Sequence, residues 1–438
     1  MHRAEVVVTL KLHAMNTSQS AAQIVHNHIE SILPQLQHEA TGRLPFPTLS
    51  VGFGKTYNGF IYCWDNHHMT LRFAAAGQPE QLKYFVGNML ACQNESDFVP
   101  SIVHFKNAGI GQLGPWHAQP WLAQNVATYF DLTGDAAWTR QIFPNLSRYL
   151  DFWIKQHAAP HGLYRWRHSW HSGFDNEISG TIFQPDAVLS PDLNAYLYLE
   201  LRAMAFLSEA LGQTDSVETY SQKADQLRDA INDRLWDDTL GTYAAYDLIN
   251  NQPRVSLELA KNNTGGDTED GIGRYAYLSC PALLPLFAGI ATPDRAERMI
   301  RAYVLAPEHF RSSFGIRSLS KASEYYNQAR WGAPSRFSDP RILTNSNWQG
   351  PVWIPLNWFV FHALLRYGFA SDAQALVADT EKVLASCISR LGYMRENFDA
   401  ETGEGLYADR FGSWNILADI MGDFLPGRKA PIRLFPWE

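Results

Sequence analysis

A chain of 438 residues with 46% hydrophobic side chains has ample apolar material for a large core, which argues against disorder. Its net charge of -8 disfavours a phosphate backbone as partner, and no basic patch interleaved with aromatic residues offsets that charge. The four cysteines, Cys63, Cys92, Cys280 and Cys387, are scattered without a CxxC pair, against both a structural zinc site and a disulfide scaffold.

The first residues, MHRAEVVVTLKLHAM, are partly apolar, but Glu5 and Lys11 break the run, so a secretory leader is not expected. No stretch reaches the roughly 18 uninterrupted apolar residues of a membrane span. A soluble, cytoplasmic protein is the expectation, folded as a single domain over 1–438. Apolar periodicity near 3.6 residues then predicts helices over 19–37, 66–75, 80–91, 115–132, 136–157, 192–211, 215–233, 279–288, 293–305, 351–367, 370–390 and 411–424. After the first helix the connections alternate between long and short. Short links at 132–135, 212–215, 289–293 and 368–371 join antiparallel neighbours, so the long loops all emerge on one face. Six such hairpins predict an all-α, (α/α)6 toroid whose long-loop face is a funnel, with small β-hairpins such as 242–248 at its rim. A nucleotide-binding sheet is not expected, because no GxGxxG follows a strand and there is no βαβ rhythm. A fixed repeat period is also missing, against a solenoid.

The residues with chemistry concentrate in those long loops. Trp64-Asp65 opens the second helix within Tyr62-Cys63-Trp64-Asp65-Asn66-His67-His68. Asp65 there is either an N-cap or a carboxylate that accepts sugar hydroxyls while Trp64 stacks on the ring. Gln119 is expected on the first turn of a helix, between Trp116 and Trp121, where a neutral amide both donates and accepts. Asp175 lies in Trp166-Arg167-His168-Ser169-Trp170-His171-Ser172-Gly173-Phe174-Asp175-Asn176-Glu177. Among Trp166, Trp170 and Phe174 a carboxylate is poorly solvated, which raises its pKa toward what a general acid at neutral pH requires. The plainer reading is an Asp-Asn turn. Trp348, Gln349 and Trp353 look like pocket wall in Asn345-Ser346-Asn347-Trp348-Gln349-Gly350-Pro351-Val352-Trp353, with Pro351 in the first turn of the helix that follows. Glu396, in Met394-Arg395-Glu396-Asn397-Phe398-Asp399, precedes a Gly-containing turn where Glu401 and Glu404 compete for the role of a general base.

Together these segments resemble glycoside hydrolase family 63 and its toroidal relatives, which include trehalases. The resemblance runs from Trp64-Asp65 to Phe411-Gly412-Ser413-Trp414. Ser172-Gly173-Phe174-Asp175-Asn176 is similar to the family segment whose Asp is the general acid. Glu396-Asn397-Phe398-Asp399-x-x-Thr402-Gly403 is similar to the segment whose Glu is the general base, and Phe314-Gly315-Ile316-Arg317-Ser318-Leu319 and Gly350-Pro351-Val352-Trp353 also resemble family segments. The resemblance implies an inverting α-glycoside hydrolase, with Asp175 as acid and Glu396 as base. Its compact length resembles hydrolases of mannosylglycerate and glucosylglycerate, so a small α-glucoside or α-mannoside, or a short α-gluco-oligosaccharide, is the expected substrate. Trp64, Asp65, Gln119, Trp170, Trp348, Gln349 and Trp353 are the expected sugar contacts. Gln349 departs from the family, many of whose members have Arg before Gly-Pro-Val-Trp.

No cofactor and no metal are expected: no HExxH is present, and the acidic stretch 262–271 lacks EF-hand spacing. A competing expectation is a sugar epimerase or isomerase on the same toroid, moving protons with His67, His68, His117, His168 and His171.

Overall fold

The computed structural model describes residues 19–105, 111–112, 116–179, 187–254, 275–329 and 346–438. Its helices are α1 (Ala21–Leu36), α2 (Cys63–Ala75), α3 (Glu80–Ala91), α4 (Leu122–Thr133), α5 (Ala136–Gln156), α6 (Pro191–Ala210), α7 (Thr214–Arg234), α8 (Leu284–Phe287), α9 (Pro293–Met299), α10 (Ile354–Arg366), α11 (Ala370–Leu391) and α12 (Ala418–Met421). They form the expected (α/α)6 toroid.

Burial separates the two layers. Helix α2 buries every residue from Cys63 to Ala74, and α6 and α10 are nearly as enclosed. Helices hidden all round belong inside. Outer helix α7 buries only Tyr220, Ala224, Leu227 and Ile231, a single stripe at spacings of three and four. The inner members touch in a closed circle: α2, α4, α6, the 280–287 turns, α10, the 413–421 turns and α2 again. Helix α1 lies along α11 in the outer layer.

Several boundaries differ from the expectation, and proline explains most of them. Helix α4 starts at Leu122 rather than 115, because Pro120 biases Gln119 toward extended backbone. Its amide end has no cap of its own. Glu200 of α6 supplies one, its carboxylate accepting from the amides of Ala123 (2.6 Å) and Gln124 (3.3 Å). Helix α10 starts at Ile354 with Pro355 in its first turn, not Pro351. Val352 is extended instead, exchanging two backbone hydrogen bonds with Phe398. Pro281 and Pro285 each remove an N–H, and the segment predicted over 279–288 is a 3-10 turn followed by one α-turn. The final segment is a 3-10 turn at Ser413–Leu417, then α12 and a second 3-10 turn.

Small β elements stitch the loop face. Thr242–Tyr243 pairs with Trp236–Asp237, while Ala245–Asp247 sits between Gln252–Arg254 and Val188–Leu189, so the hairpin predicted at 242–248 joins two sheets. Two further elements carry the site: the sheet of Phe60–Tyr62, Ile102–His104 and Gly111–Gln112, and the hairpin Asn397–Phe398/Gly405–Leu406. The N-terminal apolar run, the acidic stretch 262–271 and Asn345 lie outside the described residues.

Candidate active site

Three loop systems converge at the funnel end of the inner ring. In the first, strand Phe60–Tyr62 runs directly into α2. Asn66 secures the junction by accepting from the Tyr62 amide (3.2 Å) and donating to the Leu49 carbonyl (2.9 Å). Asp65 is therefore not the cap that its position in sequence allows. Its carboxylate accepts from Ser413 Oγ at 2.6 Å, at the positive end of the helix.

The second system is the Trp166–Glu177 loop. Trp166 Nε1 donates to Asp192 (3.0 Å). A 3-10 turn, Ser169–Ser172, ends at Gly173 with φ +87°, where a Cβ would come within 2.7 Å of the Trp64 indole. That close approach slots Phe174 between Trp64 and Trp348, at ring separations of 5.6 and 4.7 Å. The chain then delivers Asp175, whose Oδ2 accepts from Ser346 Oγ at 2.8 Å. Asn176 clamps this loop to the next: Asn176 accepts from the Trp348 amide and donates to Asn347 Oδ1 (3.1 Å), and its carbonyl accepts from Gln349 Nε2 (2.9 Å).

The third system is the hairpin at 397–406. Asp399 Oδ1 accepts from the amides of Glu401 and Thr402, and Gly403 (φ +73°) closes the turn. Phe398 pairs with Val352, which anchors the hairpin and leaves Glu396 facing inward. Glu396 Oε1 accepts from the Tyr57 hydroxyl at 3.1 Å, while Oε2 is buried with no hydrogen-bond partner.

Asp65, Asp175 and Glu396 line one cavity of about 120 Å³, walled by Tyr57, Tyr62, Trp64, Trp116, Trp170, Trp348 and Trp414. Among the described residues no lysine or arginine lines it. Three carboxyl groups without a cation cannot all ionise readily. Burial pushes Asp175 up to about 7 and Asp65 up to about 8, against the pull of Ser346 and Ser413 respectively. Glu396 is raised well above the carboxylate range, first by burial and then by the charge of Asp65, with the Tyr57 hydrogen bond acting downward.

The predicted residues Trp64, Asp65, Gln119, Trp170, Asp175, Trp348, Trp353 and Glu396 all line the cavity. Gln119 presents a buried, unpartnered Oε1 there, its Nε2 already donating to the His171 carbonyl (3.1 Å). Trp353 is chiefly a support, stacked on Trp348 at 3.9 Å with its indole N–H bonded to the Asn347 carbonyl. Gln349 lies outside the lining: its amide joins the Asn176 carbonyl to Asn327, behind the wall. A departure from the family at 349 therefore alters a loop clamp rather than a lining contact. Tyr57, Ser346, Ser413 and Tyr407 were not singled out in the sequence. Tyr57 stands alone in a Gly/Ser-rich loop, with no spacing signal to mark it.

Four of the five histidines are core residues. His67 stacks on Trp121 and bonds Asn125, His68 bonds the Trp64 carbonyl, and His117 bridges the Val99 amide and the Tyr149 carbonyl. His171 bonds the His117 carbonyl, and His168 stacks on Trp116 at the margin. Burial holds His68 down to about 4 and His117 to about 3. None lines the cavity, which removes the proton-transfer groups an epimerase reading needs.

A two-layered helical ring whose buried acids share an aromatic cavity at its loop face, with no lysine or arginine among the described lining residues, fits the class of toroidal glycoside hydrolases. Residues 59–414 match the mannosylglycerate hydrolase MGH1-like glycoside hydrolase domain, and the chain belongs to that family. It is 27% identical to the mannosylglycerate hydrolase of Rubrobacter radiotolerans over 230 residues, 52% of this chain. The match spans 42% of that relative's length. Among solved structures, the fold is similar to the family 63 mannosylglycerate hydrolase from Thermus thermophilus in complex with glucose. That likeness has a TM-score of 0.66 at 20% identity, covering 90% of this chain and 99% of that one. The neutral trehalase of Saccharomyces cerevisiae is also similar, with a TM-score of 0.60 at 15% identity over 93% of this chain and 80% of that one.

Proposed function

We propose that the chain is an inverting α-glycoside hydrolase acting on a small α-glucoside or α-mannoside, with Asp175 as general acid and Glu396 as general base. One observation carries the reading: acids 221 residues apart in sequence line the same small aromatic cavity, which has no described lysine or arginine. Glycoside hydrolysis needs one carboxylic acid to protonate the leaving oxygen and a second carboxylate to activate water. Burial lifts both acids, Asp175 to about 7 and Glu396 well above the carboxylate range, so acidity does not divide the roles; the likeness of Ser172–Asn176 to the family segment that carries the acid assigns the first role to Asp175. Glu396 has one oxygen held by Tyr57 and one open, which suits the second. A cavity of about 120 Å³ is well under the roughly 300–1,000 Å³ of drug-sized pockets, so a single sugar unit is enclosed at a time.

Trp64, Asp65, Gln119, Trp170, Trp348 and Trp353 are the proposed sugar contacts. A glycerate aglycone is favoured by the family and by the Thermus thermophilus enzyme, solved in complex with Tris and D-glycerate. A short α-gluco-oligosaccharide is the alternative substrate. We further propose that 1–438 acts as one catalytic domain in the cytoplasm, on small carbohydrates rather than nucleic acid. No described helix is long and apolar enough to cross a membrane. Incubation with α-mannosylglycerate and α-glucosylglycerate, followed by proton NMR during early turnover, tests the reading. Release of the β-anomer is expected, and the α-anomer as first product overturns the inverting assignment.

A further inference from the structure

Every buried carboxyl oxygen at the cavity meets the same problem, since no described cation is there to stabilise its charge. Glu396 meets it most acutely: its side chain is 3% exposed and its acidity is opposed by both burial and Asp65. Only one described side chain donates to it, the Tyr57 hydroxyl, and that donation goes to Oε1 alone. Oε2 is buried, without a partner, and belongs to a residue that lines the cavity.

Tyr57 is itself held on several sides. Its ring meets Phe411 and Tyr62 edge-on, at 5.5 and 5.7 Å, and its carbonyl accepts from Ser50 Oγ at 3.1 Å. Ser50 Oγ also accepts from the Gly59 amide, which closes the loop that carries Tyr57. Tyr407 lies near enough that a charge on its phenol raises Tyr57. Tyr407 has its backbone at φ +54°, in the left-handed region that a bulky aromatic residue rarely adopts. Arg395 Nη1 secures that backbone by donating to the Tyr407 carbonyl (2.7 Å). Strain at a residue near the proposed base is where a functional constraint is expected.

We propose that Tyr57 is a positioning residue that occupies Oε1 of Glu396 and so commits Oε2 to take the proton of the attacking water. This rests on the reading of Glu396 as general base. In the step itself water loses one proton to Oε2 as its oxygen bonds to the anomeric carbon. The glycosidic oxygen leaves with the bonding pair and takes the proton of Asp175, so the proton count balances. The Tyr57 phenol neither gains nor loses a proton overall.

The test is Tyr57→Phe, which removes one hydroxyl and keeps the ring, with Glu396→Gln beside it. In Tyr57→Phe, kcat is expected to fall about 10- to 100-fold with KM changed less than about threefold. The acid limb of kcat/KM is expected to move up by about one pH unit, since a donor to the ionised form has been lost. An activity-independent measurement runs in parallel: infrared titration of the carboxyl band that Glu396→Gln deletes. In Tyr57→Phe that band is expected to titrate at higher pH. If Tyr57→Phe leaves both the pH limb and the band in place, the positioning role is overturned, whatever happens to thermal stability. If Glu396→Gln itself stays active, the base assignment fails instead. The two failures are thus told apart.

Discussion

Glu396 and Glu401 stand at the base and the tip of one short hairpin, and their surroundings are opposite. Glu401 is held by Arg317 (2.9 Å), Lys321 (2.6 Å) and the Tyr326 hydroxyl (2.6 Å). Partial desolvation would raise it, but those three donors hold it down to about 2. Glu396 faces a cavity with no described cation and has one oxygen unpartnered. A carboxylate satisfied by cations is anchored and inert, whereas one denied them keeps an affinity for protons and can exchange them with substrate. Four residues of chain separate a structural acid from a candidate catalytic one.

The largest expected effects break or sustain that contrast directly. Asp175→Asn and Glu396→Gln should each lower kcat by about 10³-fold or more in a protein that remains folded by circular dichroism. Glu401→Gln should keep activity within about threefold. It leaves Arg317, 5% exposed, short of a charged partner, and a stability loss of about 1–2 kcal/mol is expected by thermal denaturation. If Glu401→Gln matches Glu396→Gln in lost activity, the distinction between the two acids collapses.

Asp65→Asn probes the same cavity from its third acid. The charge of Asp65 raises Glu396, so a neutral amide in its place should let Glu396 ionise at lower pH. The acid limb of kcat/KM then moves down, opposite in sign to the shift expected for Tyr57→Phe. A rise in KM of about tenfold is expected with it, because one acceptor of a sugar hydroxyl is altered. An upward shift of the limb in Asp65→Asn would contradict the electrostatic coupling between the two acids.

Much of this was legible in the sequence, and the rest was hidden for definable reasons. The alternation of long and short links was enough for the toroid, because short links permit only antiparallel neighbours. Ser172-Gly173-Phe174-Asp175-Asn176 was legible because its residues have distinct local roles. Gly173 clears Trp64, Phe174 fills the gap, and Asn176 clamps the next loop. Separating Glu396 from Glu401 needed the family segment, since Arg317 and Lys321 lie more than 75 residues away in sequence. Gln349 was misplaced because a glutamine between tryptophans reads alike whether it faces a cavity or the loop behind it. Clustered histidines suggested proton transfer, yet α2 buries His67 and His68 all round, where they bond the Asn125 side chain and the Trp64 carbonyl.

A third kind of buried acid sharpens the comparison at smaller scale. Glu200 is fully enclosed, like Glu396, but its two oxygens accept from the Ala123 and Gln124 amides and from the Gln124 side chain. Burial still lifts it to about 7. Glu200→Gln should cost about 1–2 kcal/mol through loss of the α4 cap, read as a lower thermal midpoint, with KM and the pH profile unchanged.

The pH dependence of stability compares the acids with the histidines across the whole molecule. Asp65 (about 8), Asp175 (about 7), Glu200 (about 7) and Asp192 (about 6) all sit above the roughly 4 of an unfolded carboxyl. The native state therefore keeps protons that the unfolded chain has released, and this contribution to stability is lost as pH rises through those values. The histidines act in the other direction. His68 (about 4), His117 (about 3), His157 (about 4) and His362 (about 3) remain neutral in the native protein, while the unfolded chain protonates them below about 6.5. Their contribution is present above that pH and lost as pH falls toward the native values. Only the carboxyl effect operates between about 6.5 and 8, so the thermal midpoint should decline on that side. Asp65→Asn and Asp175→Asn each remove one titrating acid and should flatten the decline over the interval from the unfolded value of about 4 up to the native value, about 8 and about 7 respectively. Differential scanning calorimetry at pH 5, 6, 7 and 8 reads both limbs, and an alkaline slope identical in all three proteins would show that the cavity acids are ionised in the folded state.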